Sequence, residues 1–129
     1  AISDYSKAIA INPNDSDFYY FRGWLKANPE VRDLDGSISD LKTLNQFEPN
    51  NVQNLLDLAS VYSRASYPFE AFKLLDRAEQ IEPDNGNIVW WRGIFTIKSG
   101  KLPVGCKFVR EARRMGAPDY NPTMLKACN

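Results

Sequence analysis

Proline recurs in this chain at positions 13, 49, 83 and 118, in steps of 36, 34 and 35 residues. The surroundings recur with it: Ile11-Asn12-Pro13-Asn14-Asp15, Phe47-Glu48-Pro49-Asn50-Asn51, Ile81-Glu82-Pro83-Asp84-Asn85 and Gly116-Ala117-Pro118-Asp119-Tyr120. Self-similarity at such a period is the mark of stacked units, each unable to bury its apolar face alone. It excludes a fold organised around one irregular core. It also points to an extended surface that binds rather than to a catalytic cleft.

Between prolines the pattern reads helix, short turn, helix. From Val52 to Asn85, apolar residues fall at Leu55, Leu58, Ala59 and Tyr62, the spacing of one helical face. Ser66-Tyr67-Pro68 then interrupts the chain, and Pro68 suits the first turn of a following helix. A second stripe runs through Ala71, Phe72, Leu75, Ala78 and Ile81. Glu82-Pro83 ends it, because proline disfavours helix in the residue before it, and Asp84 and Asn85 can cap the next helix. Small residues recur in phase. Gly23 and Gly93 stand where Ala59 stands, and Ala8, Ala78 and Ala112 recur near the ends of second helices. Glycine within a helix costs roughly 1 kcal/mol relative to alanine, so its recurrence implies close helix packing.

These residues carry a resemblance to the tetratricopeptide repeat (TPR) family, in particular to bacterial TPR-domain proteins. The family pairs two antiparallel helices in a 34-residue unit, with aromatic, Leu, Gly and Tyr in the first helix and Ala, aromatic, Ala and Pro in the second. The Val52 unit matches with Leu55, Leu58, Ala59, Tyr62, Ala71, Leu75, Ala78 and Pro83, with Leu in place of the first aromatic. Ala1, Tyr5, Ala8 and Pro13 match the second half of a unit. Tyr19, Gly23, Ser37, Leu41, Leu44 and Pro49 form another, departing at Arg22 and by two extra residues around Asn28-Pro29-Glu30. Val89, Gly93, Gly100, Gly105, Val109 and Ala112 form the last, with its proline one residue late. The resemblance covers about residues 1–119. It implies an all-α, right-handed superhelical α-α solenoid of antiparallel helix pairs: about three full units, a leading half unit and a short C-terminal capping helix. Expected divisions are 1–15, 16–51, 52–85, 86–119 and 120–129, a single domain. Expected helices are 1–11, 17–28, 35–47, 52–65, 69–81, 86–99, 103–115 and about 121–128, the last with Met124 and Leu125 turned inward. The sequence reads as a piece of a longer array whose first helix lacks a partner.

The resemblance also implies where a partner sits. In this family the first helices line a concave groove through the second, fifth, sixth, ninth, twelfth and thirteenth positions of each unit. Those positions are Asp17, Tyr20, Phe21, Trp24, Ala27 and Asn28 in the unit from Ser16. They are Gln53, Leu56, Asp57, Ser60, Ser63 and Arg64 in the unit from Val52, and Asn87, Trp90, Trp91, Ile94, Ile97 and Lys98 in the unit from Gly86. Helical spacing independently puts Asp17, Tyr20, Trp24 and Asn28 on one face, and likewise Asn87, Trp90, Ile94 and Lys98. All 3 tryptophans fall in this set. Aromatic rings are common interface anchors, so the expected function is a non-catalytic scaffold that binds a peptide or protein segment. Packing of some rings between helices is the competing reading. Tyr19 is assigned to the core, and Arg22 and Arg92 to either stem packing or ligand contact. The clamp by which chaperone-binding relatives hold a C-terminal carboxylate would fall on Tyr20, Trp24, Asp57, Asn87 and Trp91. None of these is the required Lys, Asn or Arg in its place, so that specific activity is rejected.

Composition narrows the alternatives. The 129 residues contain 16 basic and 16 acidic side chains, which argues against nucleic acid as partner. The one dense basic cluster, Arg110, Arg113 and Arg114, reads as a solvated helix face. No apolar run is long enough to span a membrane. Histidine is absent, removing the usual general base and the commonest metal ligand. Asp15, Asp33, Asp35 and Asp84 read as helix-end residues rather than as catalysts. No enzyme activity, cofactor or metal is implied. Cys106 opens the last second helix and Cys128 closes the expected cap. If those helices are antiparallel, the thiols lie side by side, an arrangement resembling terminal repeats of some bacterial TPR proteins. A disulfide there places the chain in an oxidising compartment such as a periplasm. Otherwise the two are small buried hydrophobes in a reduced cytoplasm. The alternative function is self-association, as a homo-oligomer formed through the uncapped N-terminal helix.

Overall fold

The computed structural model describes residues 1–118 and 126–128. Among them the chain forms helices α1 (Ile2–Ile11), α2 (Ser16–Ala27), α3 (Leu34–Phe47), α4 (Val52–Arg64), α5 (Pro68–Ile81), α6 (Gly86–Lys98) and α7 (Leu102–Arg114). Their ends fall within a residue or so of the expected ones. The capping helix expected over 121–128 lies outside the described residues, except for Lys126–Cys128.

The recurring proline produces a recurring turn. The residues before it, Asn12, Glu48 and Glu82, hold nearly the same backbone angles: φ −134°, −133° and −131°, with ψ 82°, 69° and 81°. These lie outside the helical region, as a following proline requires. In each, the backbone N–H still donates to the carbonyl four residues back: Ala8, Leu44 and Ala78. The next helix is then capped by a short polar side chain. Asp15 accepts from the N–H of Asp17, Asn51 from that of Asn54, and Asn85 from that of Asn87. Asp33 caps α3 in the same way by accepting from Gly36. The helix-end reading of Asp15 and Asp33 agrees with this, while Asn85 rather than Asp84 caps α6.

Each helix packs on its neighbours in chain order, and α4 also touches α6. The result is an α-solenoid with two contiguous cores. One gathers Ala27, Ile38, Leu41 and Leu44 with Leu58 and Val61, and Tyr19 packs against it as expected. The other gathers Leu55, Leu56, Ala59, Ala71, Leu75 and Ala78 with Ile88, Trp90, Ile94, Phe95, Val109 and Ala112. The phased small residues sit at the closest crossings. A Cβ on Gly105 would lie 2.4 Å from Ile97 Cγ1 and 2.7 Å from the Gly93 carbonyl oxygen. A Cβ on Gly93 would meet Gly105 and Val109 at 2.9 Å. Helices α6 and α7 therefore approach at backbone distance. Gly23 is looser, its nearest neighbours being the Leu41 side chain at 3.1 Å and Asp40 Cβ at 3.3 Å.

Arg22 and Arg92, equivalent in the repeat, both enter ion pairs, and the Arg22 guanidinium also lies 5.9 Å from the centre of the Tyr19 ring, in keeping with packing on an aromatic neighbour. Arg22 forms a bidentate pair with Asp40, Nε to Oδ2 at 2.8 Å and Nη2 to Oδ1 at 2.6 Å. Its Nη1 also donates to Ser6 Oγ on α1, at 3.2 Å. Lys26 adds a second cation 3.2 Å from Asp40, whose side chain is only 3% exposed. Arg92 reaches back to Asp76 and Glu79 on α5 at 2.9 and 3.0 Å. The position equivalent to Asp40 in the last unit is Phe108, which offers no carboxylate.

Two stability comparisons follow. Gly105→Ala gains helix propensity but forces α6 and α7 apart, so chemical denaturation should show a net loss of about 2 kcal/mol. Gly23→Ala should stay within about 1 kcal/mol of the parent, because the Leu41 side chain can give way. Arg22→Met leaves a buried carboxylate with Lys26 alone and should cost about 2–4 kcal/mol. Arg92→Met frees only solvated acids and should cost less than about 1 kcal/mol.

Candidate functional site

The eighteen expected groove positions fall on α2, α4 and α6 and the Asn28 cap of α2, and each position of the repeat gives a row of three equivalent residues. The second position is exposed or half-buried throughout: Asp17, Gln53, Asn87. The sixth presents Phe21, 47% exposed, with Asp57 and Trp91 half-buried. The thirteenth is open in all three: Asn28, Arg64, Lys98. The twelfth holds buried Ala27 with half-buried Ser63 and Ile97.

The fifth and ninth rows divide. Tyr20, Trp24 and Ser60 are half-buried, but Leu56, Trp90 and Ile94 are 2%, 3% and 4% exposed. All three belong to the second core. Packed in that core, they are not part of the accessible surface. Of the tryptophans, Trp24 and Trp91 retain partial access and Trp90 does not.

The accessible rings form two groups. Phe21 lies 5.3 Å from Tyr20 and 5.7 Å from Tyr5 of α1, and Tyr20 lies 6.3 Å from Trp24. At the other end Trp91 packs against Trp90 at 5.0 Å and Phe95 at 5.5 Å. Between them α4 contributes a polar strip. Gln53 Nε2 donates to Asp57 Oδ1 at 3.0 Å, and Ser60 Oγ donates to the Asp57 carbonyl at 2.8 Å. Arg64 Nη2 donates to the Ala27 carbonyl at 2.7 Å, fixing α4 against the end of α2. Phe95 carried no periodic signal of its own, since it falls between the expected rows.

Burial pushes the Asp57 carboxyl above the usual carboxylate range, and the hydrogen bond from Gln53 acts in the opposite direction without cancelling it. The folded state therefore resists ionising Asp57. The penalty is present above the raised pKa and is relieved as pH falls through it towards the unfolded value. Asp57→Asn should raise the melting temperature at neutral pH. That advantage should vanish in thermal scans below about pH 3.9, where the unfolded-state carboxyl is protonated as well.

Away from this face, Cys106 near the start of α7 and Cys128 form a disulfide with Cα atoms 5.2 Å apart. Arg110 Nη1 donates to the Cys128 carbonyl at 3.1 Å. Among the described residues no helix is long and apolar enough to cross a membrane, and no group of three or more His, Cys, Asp or Glu could hold a metal ion.

The arrangement defines a TPR-like helical repeat. No protein-family model matches the sequence, and no curated protein matches it. Similarity appears at the level of solved structures. A crystal structure of MamA aligns with a TM-score of 0.75 over 98% of this chain and 70% of that one, at 15% identity. A second MamA crystal structure gives 0.72 over 88% of this chain and 61% of its own, at 17% identity. A third gives 0.72 over 88% and 64%, at 15% identity. The chain thus spans between 61% and 70% of the length of these proteins. At such identities the likeness concerns the fold.

Proposed function

We propose that the protein is a non-catalytic interaction scaffold that binds an extended or helical segment of another protein along the face of α2, α4 and α6. The reading takes residues 16–51, 52–85 and 86–119 as successive units, with 1–15 as the second half of another and 120–129 as a cap. The observation that carries it is the sixth row. There, equivalent positions of successive first helices leave Phe21, Asp57 and Trp91 accessible above a floor of Leu56, Trp90 and Ile94. A ring held on a rigid helix offers a large apolar area with little conformational entropy left to lose, which is how interface anchors work. Flanking polar groups, Asp17, Gln53, Ser60, Asn87 and Arg64, suit the rim of such a contact. The disulfide supports an oxidising compartment such as a periplasm.

The test is a selection from random linear peptides on immobilised protein, repeated with Phe21→Ala/Trp91→Ala. The paired variant should keep its helical circular dichroism and lose at least about tenfold in affinity for the selected peptides, the scale of an anchor's loss. Equal affinity in parent and variant sinks the reading.

A second reading, self-association, is favoured by α1. None of its side chains is fully buried, and Ile11 is 85% exposed. Under that reading the mass measured by sedimentation falls on dilution.

A further inference from the structure

A cleft of about 620 Å³ opens beside the site, at the ends of α4 and α6 and under the α2–α3 connection. Its wall holds Arg32, Arg64 and Lys98, three serines (Ser63, Ser66 and Ser99) and the apolar Leu34, Pro68 and Phe95. Among the described residues no acidic side chain lines it. Among the described residues, Arg32 and Lys98 make no ion pair, and Arg64 spends one N–H on the Ala27 carbonyl. This contrasts with Arg22, Lys26 and Arg92, each of which has a carboxylate partner.

The three cations come from three successive units, and local structure explains each position. Arg64 and Lys98 end their helices at equivalent points of the repeat. Arg32 lies in the longer connection between Ala27 and Leu34, where the unit from Ser16 carries its extra residues. That connection is held by the Asp33 N–H donating to the Lys26 carbonyl and by the Asn28 side chain accepting from Glu30 N–H. Arg32 sits there in the left-handed region at φ 53°. Lysine or arginine in a helix's last turn also interacts favourably with the helix dipole. Each of the two helix ends supplies only about half a negative charge, so the three full positive charges leave an excess. Two guanidinium forks and an ammonium beside hydroxyls match carboxylates in both charge and hydrogen bonding.

We infer that this cleft receives an acidic stretch of the bound partner, a segment with neighbouring Asp or Glu side chains. A lone small anion suits it less, because the cations are spread over three units around a space on the scale of a small-molecule site. Leu34 and Pro68 provide apolar surface for the methylenes of Glu or for the chain itself, with the buried Phe95 behind them. Phe95 also packs against Trp91, so the cleft continues the aromatic face. The inference rests on the scaffold reading and adds the chemistry of the ligand.

The peptide selection decides both. Peptides recovered on the parent protein should be enriched in runs of Asp and Glu. A synthetic acidic peptide from that pool should bind about tenfold or more weakly to Arg32→Asn/Lys98→Gln, and more weakly as salt rises. Asparagine tolerates the left-handed backbone at position 32, so the fold survives the change. Lys98→Glu, at an exposed helix end, should show the same loss by itself. A pool without acidic enrichment, or an acidic peptide that binds the cation variants as tightly as the parent, overturns the inference. If such a pool is still lost on Phe21→Ala/Trp91→Ala, the scaffold reading stands without it. If no peptide is recovered, or none responds to either pair of substitutions, both fall. Displacement of the acidic peptide by inorganic phosphate at equal concentration would mark a site for free anions and also overturn it.

Discussion

Among the described residues no helix is long enough to persist alone in water, and that constraint shapes the rest. The longest are α3 and α5, at 14 residues each, near the limit at which isolated helices become marginal. Each must bury its apolar stripe on the helices before and after it. Burial on both sides is possible only where backbones can approach, hence the small residues at fixed phase. The mutual contact of Gly93 and Gly105 is the tightest instance. Ala59, Ala78 and Ala112, all fully buried, serve the same purpose where a methyl group still fits.

Once the spacing is set by backbone contact, polar side chains pair with whatever the neighbouring helix offers. Arg22 and Arg92 stand at the same point of the repeat, yet one closes a buried network with Asp40 and Lys26 and the other reaches two solvated acids on α5. The difference lies one helix further on, where α3 offers the buried Asp40 and the matching position of α7 is Phe108. The three cations of the cleft belong to the same logic with the opposite result. Among the described residues Arg32 and Lys98 meet no carboxylate partner, and the cleft lining includes no acid.

The helices, their caps and their turns were legible because they are decided locally. Proline restricts the residue before it, Asp and Asn cap the next helix, and a periodic stripe marks the buried side. The expected face of α2, α4 and α6 was read from the same periodicity. What periodicity could not separate was surface from floor. Tyr20 and Trp90 occupy equivalent positions, as do Trp24 and Ile94, yet Trp90 and Ile94 are covered and their equivalents partly open. That depends on how closely one first helix lies over the next, which no single helix encodes. Phe95 and Arg32 were missed in the same way: one falls between the expected rows and the other lies on a connection outside the repeat.

By itself, then, the sequence determined the succession of paired helices, the turns that join them and the residues on which they close. Each of these follows from backbone restriction or from the periodicity of one helix. The tertiary structure alone decided which rings remain accessible, which acid each arginine meets, and that Arg32, Arg64 and Lys98 share one cleft. Those outcomes depend on contacts between units. The repeat brings equivalent positions together, but the side chain on the neighbouring helix decides whether each is buried, paired or left open.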